Sequence, residues 1–454
     1  MTDTTLSAIF DHIEANRESF IARVMDYVRH PSISAHNIGI REVASLLVDH
    51  LNGLGMSAEA VATSGHPMVL GHSPKLEGKP TILFYGHYDV QPPDPLDKWV
   101  SPPFEPTIRD GRIYARGIGD NKGQHFAQLL AIESMLAVNG GQWPGNVIVL
   151  LEGEEEIGSP HIAEFVTQHR DQLKADLVVT SDGPLHDSGL PTVTFGVRGM
   201  ASFELRARTA SRDTHSGNFG GVMPNAIWTL VHLLGTMKND RGEITIEGLH
   251  EHIVPPRPVE LEAARNLPLD FEAIKADLGL ERLDAPADRP YFDRLMFHPT
   301  LTINGLHGGY GGEGVKTVLP AEAFAKCDIR LVEAMTPDDV LDKVEAHVRR
   351  HAPEVEFIRR GGMLPSKTDM ESVYAKTLVT AIEAARGVPP LLYPTMGGSL
   401  PDYVFTKILG IPAFVVPYAN ADEANHAPNE NLKLDLFIAG IRTGAAILTE
   451  MGRL

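Results

Sequence analysis

Cysteine is nearly absent. Cys327 is the one thiol in 454 residues, so no disulfide can form within the chain. It stands in the apolar run Ala325-Lys326-Cys327-Asp328-Ile329-Arg330-Leu331-Val332, which predicts a strand and a buried structural thiol. Positive charge is also scarce. Lys plus Arg is 40 against 59 Asp plus Glu, a net charge of −19 that leaves no electrostatic footprint for nucleic acid or an anionic membrane. No apolar run approaches the ~18 residues of a spanning helix. The N-terminus carries Asp3, Asp11, Glu14 and Glu18 and lacks the continuous apolar core of a secretory signal. The 42 glycines show no G-x-y period, which excludes collagen, and there is no internal repeat. With 43 % hydrophobic and 22 % charged residues the composition is that of a globular protein rather than a disordered one. At about 150 residues per domain, the length allows two or three domains. The expectation is a cytoplasmic protein with neither nucleic acid nor membrane as partner.

Leu6, Ile9, Phe10, Ile13, Phe20, Ile21, Val24 and Val28 recur at helical spacing and predict an opening amphipathic helix, followed by a second over 40–54. Short apolar runs at 81–86, 146–151 and 176–181 read as buried strands, with a helix over 124–138 between the first two. Such alternation argues for a mostly parallel sheet covered by helices. Prolines 92, 93, 95, 102, 103 and 106 make 91–106 a loop. The pattern then changes. Segments 193–197 and 201–207 alternate like half-exposed antiparallel strands. Helices over 224–237 and 337–350, strands over 323–332 and 355–358, and Pro-rich loops at 253–258 and 286–290 follow. A helix over 370–385, a buried strand over 411–417 and a closing helix over 432–451 restore the first style. The predicted architecture is α/β: a catalytic domain over 1–197 and 366–454, interrupted by an inserted α+β domain over 198–365.

The chemistry-bearing residues follow the predicted strands, where open α/β sheets keep their ligands. Gly86-His87-Tyr88-Asp89 follows the first strand, and Arg116-Gly117-Ile118-Gly119-Asp120-Asn121-Lys122-Gly123 precedes a helix. Glu152-Gly153-Glu154-Glu155-Glu156-Ile157-Gly158-Ser159 follows the second strand, and Ser181-Asp182-Gly183 the third. Asn425-His426-Ala427-Pro428-Asn429-Glu430 stands near the end. Each alone has a bland reading: a loop histidine, a solvated acidic run, a helix N-cap at Asp182. Together, carboxylates gathered at successive strand ends would repel one another without a cation. Histidine plus carboxylate without cysteine suits zinc, manganese or cobalt.

Taken in this order, the motifs resemble the co-catalytic zinc peptidase family, which includes aminoacylase, glutamate carboxypeptidase, succinyl-diaminopimelate desuccinylase and cytosolic nonspecific dipeptidase. The resemblance spans nearly the whole chain. Arg212-Asp213-Thr214-His215-Ser216-Gly217, Lys316-Thr317-Val318-Leu319-Pro320 and Gly397-Gly398-Ser399-Leu400-Pro401 are most similar to the dipeptidase branch. The resemblance implies two divalent ions per chain, zinc first, with manganese or cobalt as alternatives. His87 and Asp182 would hold one, Glu156 and His426 the other, and Asp120 would bridge them with a cis peptide to Asn121. In the family's register, a Glu pair, one residue and Gly-Ser, Glu155 is the general base, Glu156 the ligand and Glu154 a bystander. Asp89, two residues from His87, is placed to orient that imidazole. His215 would donate to the developing oxyanion from the partner subunit, making the insert the lid and dimerisation domain of a homodimer. Arg330 could clamp a substrate carboxylate, with Thr317 and Ser399 as substrate contacts by resemblance alone; Trp99 reads as packing. The implied activity is hydrolysis of the amide bond of dipeptides or small peptides by a metal-bridged hydroxide. The alternatives are an N-acyl amino acid deacylase or a carboxypeptidase on the same site. A non-catalytic binding protein on this fold would normally have lost a ligand or the base, and this chain keeps both.

Overall fold

A computed structural model describes residues 3–282 and 291–454, so the expected loop at 286–290 lies outside the described residues. The chain divides into two compact units. The first comprises Met1–Gly196, Lys367–Pro394 and Val404–Leu454, and the second comprises Val197–Ser366 and Thr395–Tyr403. The local pattern assigns 395–403 to the flanking chain, but it belongs to the second unit. Arg198 holds it there, donating from Nε to the Gly397 carbonyl at 2.9 Å and from its backbone N–H to the Gly398 carbonyl at 3.1 Å.

The first unit is built on an eight-stranded sheet. Its order is Ser57–Val61, Met68–His72, Asn146–Glu152, Thr81–His87, Leu177–Thr180, Ala413–Val415, Thr192–Thr194, Leu391–Tyr393. The run from Asn146–Glu152 to Ala413–Val415 is parallel, and the hairpin Ser57–His72 adds antiparallel strands at one edge. Every residue of the central parallel strands is buried, which is why they read as unbroken apolar runs without alternation. Helix Lys122–Val138 packs against Thr81–His87 and against the closing helix Leu434–Met451. Of its 17 residues, 14 are buried, so it is covered nearly all round, with Lys122, Gln124, His125, Gln128 and Ser134 among the buried side chains. A small sheet pairs Arg112–Tyr114 with Asn431–Lys433, bringing two loops together just beyond it.

Two expectations for this unit need correction. The N-terminal periodicity forms two helices, Asp3–Ala15 and Arg17–Val28, instead of one. Asn16 separates them, its Nδ2 donating to the His12 carbonyl at 2.8 Å in competition with the helix ladder. The 193–197 stretch is not half-exposed. Thr192–Thr194 is fully buried in the large sheet, parallel to Leu391–Tyr393, because both of its faces are covered and Thr-Val-Thr only mimics alternation.

The second unit is α+β. Its four-stranded antiparallel sheet has the order Thr300–Gly308, Glu322–Leu331, Gly199–Arg208, Glu356–Met363. Helices Ala226–Met237 and Pro337–His351 pack on it over a core containing Phe203, Leu205, Leu230, Ile329 and Val344. Asn225 and Thr336 cap these helices, with Pro337 at the first helical position of the second. Cys327 lies within Glu322–Leu331, 2 % exposed, and burial pushes its thiol up to about 12, a structural residue as expected. No helix among the described residues is long and apolar enough to cross a membrane.

Candidate metal centre

Strand Thr81–His87 leads through helix Lys122–Val138 to a neighbour on one side, and Leu177–Thr180 leads away on the other. The crevice between their carboxyl ends is therefore a topological switch point. His87 closes the first strand, and Asp182 lies two residues past the second. Asp120 stands before helix Lys122–Val138, whose N-terminus favours its negative charge. Gly86 permits the close approach: a Cβ there would fall 2.8 Å from both Asn121 Oδ1 and His125 Cβ. Asn121 Oδ1 accepts from His87 N at 3.2 Å, and the Asp120–Asn121 peptide is cis.

Two trios result. His87 Nε2 lies 3.0 Å from Asp120 Oδ1 and 3.7 Å from Asp182 Oδ2. His426 Nε2 lies 3.1 Å from Asp120 Oδ2 and 3.1 Å from Glu156 Oε2. Within each trio the donor atoms all lie within 4.8 Å of one another. Asp120 belongs to both, lending one oxygen to each.

The electrostatics suit a cation. Burial, reinforced by Asp120, pushes Asp182 up to about 7, and burial also raises Glu155 and Glu156 above the usual carboxylate range. Hydrogen bonds to Asp120 and Glu156 push His426 up to about 10. Burial would lower His87, yet its bonds to Asp120 and Asp89 hold it well above the ordinary value. Burial would raise Asp120, but bonds from His426 and His87 keep it well below. Both imidazoles and three of the carboxyls thus stand above their usual values, and the buried carboxylates gathered there leave a charge imbalance that a bound cation would offset. Nitrogen and oxygen donors without sulfur fit zinc, manganese or cobalt.

Asp89 does more than face His87. Its carbonyl lies 3.1 Å from His87 Nδ1 and its Oδ1 3.4 Å, which leaves Nε2 turned to the ligand side. The same buried carboxylate accepts from Glu155 N at 3.2 Å and Glu156 N at 3.1 Å, fixing the backbone of the Glu pair. Gln91 Nε2 reaches both the carbonyl and Oε2 of Glu156 at 3.0 Å. Glu155 is half-buried and Glu154 buried, the latter bonded to His161 Nδ1 at 2.6 Å.

His215, Thr317, Arg330 and Ser399 lie in the second unit, and Trp99 in the first. His215 Nδ1 accepts from Gly217 N at 3.0 Å, so Nε2 carries the proton of the neutral ring, and Thr317 Oγ1 lies 3.5 Å from it. Arg330 Nη1 donates to Ser399 Oγ at 2.8 Å, while its Nε lies 3.3 Å from Asp328. Trp99 donates from Nε1 to the Pro93 carbonyl and lies under the Arg116 guanidinium, 5.4 Å from ring centre to Cζ. Sequence reasoning gave no role to Gln91, or to Arg116 and Glu430, a buried pair at 2.7 Å inside the quoted motifs. Nothing in the local pattern marks the two as partners.

Residues 83–450 match Peptidase family M20/M25/M40. The Beta-Ala-His dipeptidase of Rattus norvegicus is 29 % identical to this chain, the alignment covering 99 % of this chain and 96 % of the relative. The Cys-Gly metallodipeptidase dug1 of Schizosaccharomyces pombe is 29 % identical, with 98 % of each covered. Among solved structures, the M20 family metallo-carboxypeptidase Sso-CP2 from Sulfolobus solfataricus is 32 % identical with a TM-score of 0.89, covering 96 % of this chain and 99 % of that one.

Proposed function

The chain belongs to peptidase family M20/M25/M40, and from that premise we propose that it hydrolyses dipeptides at a centre of two divalent ions. The observation that carries this reading is Asp120, whose two oxygens each join one of the two trios that share it. His87 and Asp182 would hold one ion and Glu156 and His426 the other, with Asp120 shared by both; zinc is the first choice of metal. Ions bound there would acidify a water and polarise the scissile carbonyl. Glu155 takes the proton of the attacking water and passes it to the leaving amine. Desolvation lifts its carboxyl toward the range that such a shuttle needs. Asp89 keeps that carboxylate in register by holding its backbone N–H.

His215 offers Nε2–H to the developing oxyanion across a homodimer, and Arg330, Thr317 and Ser399 receive the substrate's carboxylate end. The second unit is the dimerisation and lid domain in this reading. Edge strand Thr300–Gly308 exposes Ile303 and Leu306 at the end of the described sheet, and helix Ala226–Met237 exposes Trp228 and Val231, apolar surface that a second copy can cover. A cytoplasmic location belongs to the same reading, in which the one thiol, buried at Cys327, plays no redox part.

The dipeptidase names of the relatives support dipeptides with a free amino end as substrates, whereas the carboxypeptidase structure supports a second reading, removal of C-terminal residues from longer or blocked peptides. A panel of dipeptides, including β-Ala-His and Cys-Gly, assayed beside N-acyl amino acids and N-blocked dipeptides with zinc and manganese separately, decides between them. The expected result is kcat/KM higher by about 10²-fold or more for free dipeptides. Equal cleavage of N-blocked dipeptides would replace the dipeptidase reading with the carboxypeptidase one.

A further inference from the structure

Glu430 is wholly buried and lies four residues beyond His426. Its carboxylate accepts four hydrogen bonds from a single loop. Oε2 receives Arg116 Nη1 at 2.7 Å and Gly117 N at 3.0 Å, and Oε1 receives Gly119 N at 2.9 Å and Asp120 N at 3.0 Å. Its own carbonyl accepts from Ala115 N at 3.1 Å, extending the pairing of Arg112–Tyr114 with Asn431–Lys433. Charge-assisted bonds of this kind are short and geometrically selective. One side chain thus ties the loop that carries Asp120 to the loop that carries His426.

The two trios are unequally supported. His87 and Asp182 sit at the ends of paired strands and are 0 % and 5 % exposed. Asn121 is pinned between those ends, its Oδ1 accepting from His87 N and its Nδ2 donating to the Ser181 carbonyl. His426 has no such frame. Its side chain is 55 % exposed, and its φ is +55°, in a loop where Ala424 and Asn429 are also left-handed. Non-glycine residues hold that conformation only where the surroundings over-determine it. Here Asn429 and Asn431 brace the loop internally and against Lys98 and Val100, and the Glu430 carboxylate is what joins it by hydrogen bonds to the loop of Asp120.

We propose that Glu430 is a positioning residue that sets His426 against Asp120, governing affinity for the ion on Asp120, Glu156 and His426 while barely affecting the ion on His87, Asp120 and Asp182. The proposal rests on the two-ion reading above. Two variants of the full chain test it. Glu430→Gln removes the charge, and Glu430→Asp keeps the counter-charge for buried Arg116 but draws it back by one methylene, which protects folding where the Gln variant leaves Arg116 unpaired. The readouts are zinc titration against a metallochromic chelator and the visible spectrum of the cobalt-loaded chain, with melting curves to establish folding. The wild type should bind two ions. In a folded variant, one ion should keep its affinity within about threefold while the other weakens about 10- to 100-fold, the range for a lost outer hydrogen-bond partner. The cobalt spectrum should then saturate in two separated steps. Two ions at wild-type affinity, or equal weakening of both, overturns the proposal. So does the failure of both variants to fold, which would make Glu430 a general folding residue. A wild-type chain that binds one ion overturns the two-ion reading itself, before any variant is compared.

Discussion

Glu154, Glu155 and Glu156 are chemically identical neighbours, and the fold gives each a different environment. Glu154 is buried against His161, Glu155 is half-buried with its N–H on Asp89, and Glu156 meets His426 and Gln91. Glu155→Gln should therefore cut turnover by about 10²–10⁴ with metal content near normal, as for a lost general base. Glu156→Gln should lose metal. Glu154→Gln should keep activity and lower stability by about 1–3 kcal/mol, the usual penalty for a disturbed buried hydrogen bond. Metal analysis and kcat on the three purified variants check this; an inactive Glu154→Gln with full metal would shift the proposed register by one residue. His87 and Asp182 were legible because they lie at or just past strand ends, where motif and topology coincide. Asp120, Glu156 and His426 lie on a helix start, a short turn and a loop, and were singled out by motif resemblance alone. The Arg116–Glu430 pair was not legible, since a buried ion pair between distant segments looks like two ordinary surface charges. Nor was the hold of Asp89 on Glu155 and Glu156, which exists only once two strand ends lie side by side.

At the scale of elements, legibility followed the contrast between faces. Helix Pro337–His351 buries Val340, Leu341, Val344, His347 and Val348, a stripe at helical spacing that its sequence announces. Strand Thr300–Gly308 is mostly exposed at a sheet edge, so its Thr, Asn, His and Gly residues gave no signal. The same helix carries a pH-sensitive group. Burial, then the charges of His351 and Arg350, holds His347 down to about 4, and Thr236 Oγ1 lies 2.8 Å from its Nε2. The unfolded chain, with an imidazole near ~6.5, binds a proton between those values that the folded chain does not. Stability must then fall as pH drops from about 6.5 toward 4. Urea midpoints at pH 7.5 and pH 5 should differ in the wild type, and His347→Gln should narrow the difference. An unchanged difference would show that other groups set the acid limit.

For the whole molecule, the proposed completion of the active site across a homodimer makes a numerical prediction. A His215→Ala subunit lacks the oxyanion donor it offers its partner, and a Glu155→Gln subunit lacks the base. Each homodimer should be nearly inactive. Random exchange of equal amounts makes half the dimers mixed, and one of the two sites in each mixed dimer regains both groups. About a quarter of all sites should therefore recover. Activity after tag-verified exchange measures this, and no recovery would place His215 outside any shared site. The second unit also contains its own reporter. Cys327 is the one thiol of the chain and is sealed within the antiparallel sheet, so a thiol reagent can reach it only when that sheet opens. Labelling should be slower in native protein than in urea-unfolded protein by about 10³-fold or more, the opening equilibrium of an ordinary domain. The chain can thus time the opening of its second unit with an atom it already carries, without an engineered probe and without any signal from the first.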